Sequence, residues 1–258
     1  MADLTASPGW VVLPPSAPDT PPLRCWWAVP EGQPARGAVL VLPEVFGVNG
    51  WVRSVADRLA AEGYAALALP IFARTAPDLE LGYDAEGLAL GREHRDAVTA
   101  QGFLDDARRA ITFLQAHAGG EGSVPEGEQP LACRGIGVVG FCIGGHLALL
   151  AATLPEVAAT CAFYGARVSN FRPGGGEPTL AVVPQIAGDL LFIAGDQDPL
   201  IPPEELQAIA DAFTGDRQRL MVAAGAGHGF LCEARADYHP EAAAMGWREL
   251  LGLLEKAL

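Results

Sequence analysis

Three glycine-flanked turns in this 258-residue chain carry residue types that together could break an acyl bond. Gly140-Phe141-Cys142-Ile143-Gly144-Gly145 follows an apolar run and opens a helical one, a G-x-C-x-G pattern with a thiol at its tip. Flanking glycines let the backbone bend sharply enough to lift one side chain out of a sheet. A cysteine at such a tip also sits at a helix N-terminus, where free N–H groups and the helix dipole favour the thiolate. Gly195-Asp196-Gln197-Asp198-Pro199 offers a carboxylate, and Gly227-His228-Gly229-Phe230 offers an imidazole. A base must take the nucleophile's proton, and a carboxylate must fix the imidazole's tautomer and stabilise its charged form. Singly, each has a plainer reading: a small buried cysteine, a turn aspartate, a loop histidine. Their common position beyond expected strands, in the order nucleophile, acid, base, is what points to chemistry.

The elements that must position these turns can be read from apolar patterning. Buried strands are predicted at Ala38–Leu42, Ala65–Leu69, Ile136–Val139, Ala158–Tyr164, Leu190–Ala194 and Arg219–Val222. A further short β-like run, Trp10–Leu13, lies in a Pro-rich first stretch. Helical periodicity predicts helices over Trp51–Glu62, Cys142–Thr153, Pro203–Phe213 and Pro240–Ala257. It also predicts a long polar region, Glu86–Ala118, broken near Gly91 or Gly102. Gly119–Pro130 and the PGGGEP stretch at 173–178 read as surface loops. Strands alternating with helices predict an α/β fold, a mostly parallel central sheet with helices on both faces. The expected organisation is a Pro-rich N-terminal extension, 1–22, followed by a single domain, 23–258. In such sheets ligands gather beyond the carboxyl ends of the strands, where the three turns fall.

Composition excludes several other classes. Half the residues are hydrophobic, enough for a large core, and Lys+Arg 17 against Asp+Glu 31 gives a net charge of −14. A surface this acidic repels nucleic-acid phosphates and anionic lipid. The five cysteines, Cys25, Cys133, Cys142, Cys161 and Cys232, are odd in number and hold no C-x-x-C pair, which suits free thiols in a reducing compartment. The first residues, MADLTASPGWVVLPPSAPD, lack a signal-peptide pattern, and no apolar run reaches the about 18 residues of a membrane span. A soluble, cytoplasmic protein is expected. His94, His117, His146 and His239 read as structural or surface residues, and none has metal-ligand spacing such as H-E-x-x-H. Gly135-Ile136-Gly137-Val138-Val139-Gly140 matches the dinucleotide fingerprint G-x-G-x-x-G, but here the glycines bracket the strand rather than follow it.

Leu42-Pro43-Glu44-Val45-Phe46-Gly47-Val48-Asn49 directly follows a buried strand. On local sequence alone Glu44 is most simply an exposed loop residue. Beside a thiol, however, a carboxylate could keep the resting Cys142 protonated and take its proton when substrate arrives. The P-E-V-F-G-V-N loop, the G-F-C-I-G-G elbow, the Tyr164-Gly165 pair, G-D-Q-D-P and G-H-G-F together resemble the dienelactone hydrolase family over about residues 24–257. The nucleophile–acid–base order is also that of the α/β-hydrolases. The resemblance implies an α/β-hydrolase fold with Cys142 as nucleophile, His228 as base, Asp198 as its orienting acid and Glu44 as the thiol-activating carboxylate. It further implies an oxyanion hole from the Val45 and Ile143 N–H groups, and no metal or organic cofactor. Family members acting on dienelactone grip a substrate carboxylate with arginines, one of them shortly after the catalytic histidine. That position holds Cys232 here, and Arg92, Arg95 and Tyr164 are the candidate substrate-binding residues.

The expected activity is hydrolysis of small carboxylic esters or lactones, carboxymethylenebutenolidase-type chemistry, through an acyl-enzyme on Cys142. The expected partner is that small molecule, without nucleic acid or membrane, and the chain is a monomer or weak dimer. Two alternatives stand beside this: a non-catalytic binding protein on the same fold, and a nucleotide-dependent oxidoreductase.

Overall fold

The computed structural model describes residues 8–118 and 135–258; the expected Gly119–Pro130 loop and Cys133 lie outside the described residues. Six strands run parallel: β3 (Gly37–Leu42), β4 (Tyr64–Ala68), β5 (Ile136–Phe141), β6 (Val157–Phe163), β7 (Asp189–Gly195) and β8 (Gln218–Ala223). Two more, β1 (Gly9–Leu13) and β2 (Leu23–Ala28), add an antiparallel pair at one edge, giving the order β1-β2-β4-β3-β5-β6-β7-β8. Every residue of β3, β4 and β5 is buried, as the unbroken apolar runs require of strands covered on both faces.

Helices α1 (Gly50–Ala61) and α6 (Pro240–Ala257) touch where the Arg58 guanidinium lies 4.1 Å over the Trp247 ring. Helices α3 (Ala100–His117) and α4 (Ile143–Ala151) pack together on the other face. Opposite placement follows from two β5 glycines: a Cβ on Gly137 would lie 2.6 Å from Leu254 of α6, and one on Gly140 would lie 2.1 Å from the Gly144 carbonyl of α4. Glycines of the fingerprint-like run therefore let helices close onto a central strand; they do not form a phosphate loop ahead of a helix. Helix α5 (Pro203–Ala212) starts with proline at its first position, where a missing N–H costs nothing.

Two elements were not expected, β2 and a short 3-10 helix, and the helix break is now located. Strand β2 was not anticipated, and β1, inside the Pro-rich stretch, pairs with it along its whole length. The long helical region breaks at residues 97–99, shortly before Gly102, into α2 (Ala85–Asp96) and α3. Thr99 makes the new start, its side chain accepting from the Gly102 N–H at 3.1 Å. A short 3-10 helix, Thr179–Gln185, follows the PGGGEP loop.

After β3 the chain goes to β4 on one side, and later to β5 on the other. The crevice between the carboxyl ends of β3 and β5 is thus the point where strand order reverses, the place where open α/β sheets hold ligands. Glu44 follows one of these strands and Cys142 the other.

Candidate active site

Cys142 occupies the β5–α4 turn with φ 55 and ψ −117, a left-handed conformation unusual for a residue with a side chain. Backbone contacts hold it there: the Cys142 N–H donates to the Phe163 carbonyl at 3.1 Å, and its carbonyl accepts from the His146 N–H at 3.0 Å. The two glycines after it are sterically required. A Cβ on Gly144 would sit 2.3 Å from the Leu42 carbonyl oxygen, and one on Gly145 would sit 2.4 Å from that of Phe163. Ile143 is the first residue of α4, so its N–H has no acceptor within the helix and remains available at the turn. Val45, the other expected oxyanion donor, lies buried in the loop after β3, and its carbonyl packs against Gly91 of α2.

Asp198 and His228 meet. His228 Nδ1 donates to Asp198 Oδ2 at 2.8 Å, and both side chains are nearly or wholly buried. The other Asp198 oxygen accepts from the Leu200 N–H at 2.8 Å, fixing the carboxylate. His228 Nε2 has no hydrogen-bond partner. Burial alone would lower the imidazole's pKa, but Cys142 and the Asp198 hydrogen bond raise it to about 10. The ring also packs edge-on against Tyr164, 5.2 Å between centroids.

Glu44 is fully buried, which overturns its reading as an exposed loop residue. Its Oε1 accepts from Arg235 Nη1 at 3.1 Å, while Oε2 has no partner. Burial pushes the carboxyl up, with Arg235 and His228 pulling partly back. Tyr164 itself is wholly buried in a left-handed turn (φ 40) after β6, its hydroxyl unpartnered. Burial and Glu44 keep it a neutral phenol. Cys232, pushed up to about 12 chiefly by burial, lies against Tyr83 and the Glu44 side. It is a neutral thiol where an arginine was expected.

The arginine present is Arg235, three residues further on, 191 positions from Glu44 and unmarked by any local pattern. Its guanidinium crosses over Gly229, where a Cβ would lie 2.5 Å from Cζ. Gly229 therefore makes room for it beside His228. The sequence reading also missed Glu233, which accepts from Trp51 Nε1 at 2.8 Å and from Arg58 Nη1 at 2.7 Å. Arg92 and Arg95 do not join the group: Arg92 is exposed on α2, and Arg95 holds Asp96 through two nitrogens at 2.8 and 2.6 Å. His146 is structural, buried between the Ala166 carbonyl and the Thr179 hydroxyl at 2.8 and 2.7 Å. His239 caps α6. Cys25, Cys142, Cys161 and Cys232 are free thiols. Among the described residues no helix is long and apolar enough to cross a membrane.

Comparison with known proteins places the chain in a family. A family model described as the dienelactone hydrolase family matches residues 23–258. A Synechocystis sp. protein named "Putative carboxymethylenebutenolidase" is 36% identical over 222 residues, 85% of this chain and 86% of that protein. The carboxymethylenebutenolidase of Pseudomonas putida is 29% identical over 229 residues, 86% of this chain and 88% of its own. A Klebsiella pneumoniae crystal structure described as a "Putative Dienelactone Hydrolase" superposes with a TM-score of 0.81. That match covers 96% of this chain and 98% of the other at 24% identity, a likeness of fold.

Proposed function

The chain belongs to the dienelactone hydrolase family, and on that premise we propose that it hydrolyses small carboxylic esters or lactones through an acyl-enzyme on Cys142. The observation that carries this reading is the elbow cysteine, held at φ 55 and close enough to raise the pKa of His228, in a buried pair with Asp198 at 2.8 Å. The names of the Synechocystis and Pseudomonas putida relatives lend the lactone-opening direction.

In this mechanism the Cys142 thiolate attacks the acyl carbon. The carbonyl π electrons move to oxygen, where the Ile143 and Val45 N–H groups receive the oxyanion. Collapse expels the leaving oxygen, and the His228 imidazolium gives it a proton from Nε2. In a lactone that oxygen stays attached, so the ring opens onto the enzyme. His228, now neutral, takes a proton from water as the water oxygen attacks the thioester, and the acid departs with the thiolate restored. Asp198 holds the ring with Nε2 facing the reaction throughout. Glu44, its pKa raised by burial, accepts the Cys142 proton from any resting thiol and so supplies the thiolate.

The test is a panel of esters and lactones assayed with the native chain and with Cys142→Ala. We expect turnover of at least one panel member, falling by at least about a thousandfold in the variant. Undiminished activity in Cys142→Ala contradicts the assignment. Glu44→Gln should slow turnover or alter the rate of thiol alkylation, and a variant unchanged in both would remove Glu44 from the mechanism.

A further inference from the structure

Among the described residues, three that bear side chains hold a left-handed backbone: Cys142 (φ 55), Tyr164 (φ 40) and Arg167 (φ 65). Tyr164 and Arg167 share one turn, residues 164–167, directly after β6. Such residues persist only where surrounding contacts over-determine them, and they gather at functional sites. Here the contacts come from α4, through His146, a buried side chain with no part in the reaction proposed above. His146 lies one helical turn past Cys142, and its N–H donates to the Cys142 carbonyl at 3.0 Å. Its ring binds between the two strained residues, Nδ1 lying 2.8 Å from the Ala166 carbonyl oxygen. A carbonyl only accepts, so Nδ1 carries the proton and Nε2 accepts from the Thr179 hydroxyl at 2.7 Å. Burial, with Arg167 and Arg172 adding to it, lowers the ring's pKa to about 4, which keeps this neutral form. Gly165 seats the turn on α4, since a Cβ there would lie 2.7 Å from the His146 nitrogen. At the far end of the turn the Arg167 guanidinium lies 4.5 Å over the Phe171 ring, itself 6.0 Å from the His146 ring. What the turn presents is Tyr164, whose ring lies edge-on to His228 at 5.2 Å between centroids.

We propose that His146 is a positioning residue for the hydrolysis: its Nδ1–H, bound to the Ala166 carbonyl, fixes the turn so that the Tyr164 ring walls in the His228 imidazole; this rests on the hydrolase reading above. His146 acts through Tyr164 and touches none of the reacting groups. Without its bond to Ala166 the left-handed turn relaxes toward ordinary backbone angles and carries the Tyr164 ring away from His228. The imidazole then samples orientations in which Nε2 no longer faces the elbow. That loss falls on the chemical step, not on substrate binding.

Two amide substitutions separate the roles of the ring nitrogens. In His146→Asn the amide nitrogen takes the place of Nδ1 and keeps the donor to Ala166. In His146→Gln it reaches the place of Nε2, toward Thr179, and leaves the Ala166 carbonyl without that donor. Both variants, shown to be folded by circular dichroism, are assayed with the best substrate of the ester and lactone panel. The expected result is a kcat at least about tenfold below native in His146→Gln, with KM within about twofold, and recovery of most of kcat in His146→Asn. Thr179→Val, which spares the Ala166 bond, should keep native kcat. Proton NMR reads the same geometry without turnover: the His228 Nδ1–H resonance, identified by its absence in His228→Ala, should shift in His146→Gln as the Tyr164 ring moves, and stay near native in His146→Asn. Native kcat in His146→Gln, an equal loss in His146→Asn, or a tenfold loss in Thr179→Val overturns the proposal and leaves the hydrolase reading standing. An unmoved His228 resonance in His146→Gln overturns it as well. A native chain inactive on the whole panel, with the resonance shifting as expected, overturns the hydrolase reading and leaves the link from His146 through Tyr164 to His228 in place.

Discussion

Cys142 lies in the left-handed region of backbone space, where a non-glycine residue costs of order 1–3 kcal/mol. That strain persists because the turn is over-determined by Gly144 and Gly145, which let α4 lie directly on the ends of β3 and β6. These glycines were legible in the sequence, as were Asp198 and His228, because each sits in a short local pattern. The state of Glu44 was not, because burial depends on packing that no local pattern encodes. Arg235 escaped for the same reason: its partner is 191 residues away. The His228 pKa, raised to about 10, has a measurable consequence. Nitrogen NMR should find an imidazolium persisting into the alkaline range in the native chain, and titrating at lower pH in Cys142→Ala. A group with a raised folded pKa contributes stability fully below its unfolded value, about 6.5, and that contribution is lost as pH rises toward 10. Between those limits the native chain should therefore lose more unfolding free energy than Asp198→Asn, which lacks part of the raising interaction. Identical pH dependence in the two proteins would contradict the assignment.

Polar side-chain ties fasten the loop from His228 to His239 to other elements. His228 binds Asp198 beyond β7, Arg235 binds Glu44 beyond β3, and Glu233 binds Trp51 and Arg58 of α1. The Trp51 ring in turn packs edge-on at 4.9 Å against Phe141, the residue before Cys142. Glu233 thereby links the loop bearing His228 to helix α1, which packs against the elbow. Its carboxyl is held below its usual range, burial being outweighed by hydrogen bonds from Trp51 and Arg58. Glu233→Ala should lower stability by about 1–3 kcal/mol and reduce kcat more than it changes KM, while Glu233→Gln, still able to accept from Trp51, should recover most of the rate. Stopped assays at saturating and limiting substrate would separate the two, and a variant with lower melting temperature but native kcat would show the tie to be structural only. The elements themselves were largely readable, since buried parallel strands announce themselves as unbroken apolar runs. The α2–α3 break falls just before Gly102, the nearer of the two expected places, and Thr99, whose capping oxygen accepts from the Gly102 N–H, makes the start of α3.

At the scale of the molecule, the parallel sheet places the candidate site residues at successive strand ends: Glu44 after β3, Cys142 after β5, Tyr164 after β6, Asp198 after β7 and His228 after β8. This arrangement follows from the alternation of strands and helices and was legible from it. Strand β2 was not, because it is an antiparallel addition with partly exposed Arg24 and Trp26, beyond the pattern of the buried strands. Trp10 of β1 packs edge-on against Trp26 at 5.3 Å, and Arg24 lies 3.5 Å over the Trp10 ring. Leu13 and Val11 are buried, and Arg109 of α3 donates to the Leu13 and Pro14 carbonyls at 3.3 and 2.7 Å. Removing residues 1–14 should therefore cost about 3 kcal/mol or more, read by urea unfolding, and leave the β2 edge unpaired. Unchanged stability would mean that the edge strand adds nothing to the sheet.

The central claim, an acyl group carried on the Cys142 sulfur, is most directly tested by intact-protein mass spectrometry with peptide mapping during turnover of p-nitrophenyl butyrate, using the native chain and His228→Ala. A single added butyryl mass located on Cys142, accumulating in the variant that cannot activate water for its release, is the predicted result. Turnover with no adduct in either protein, or with the adduct on another residue, contradicts it.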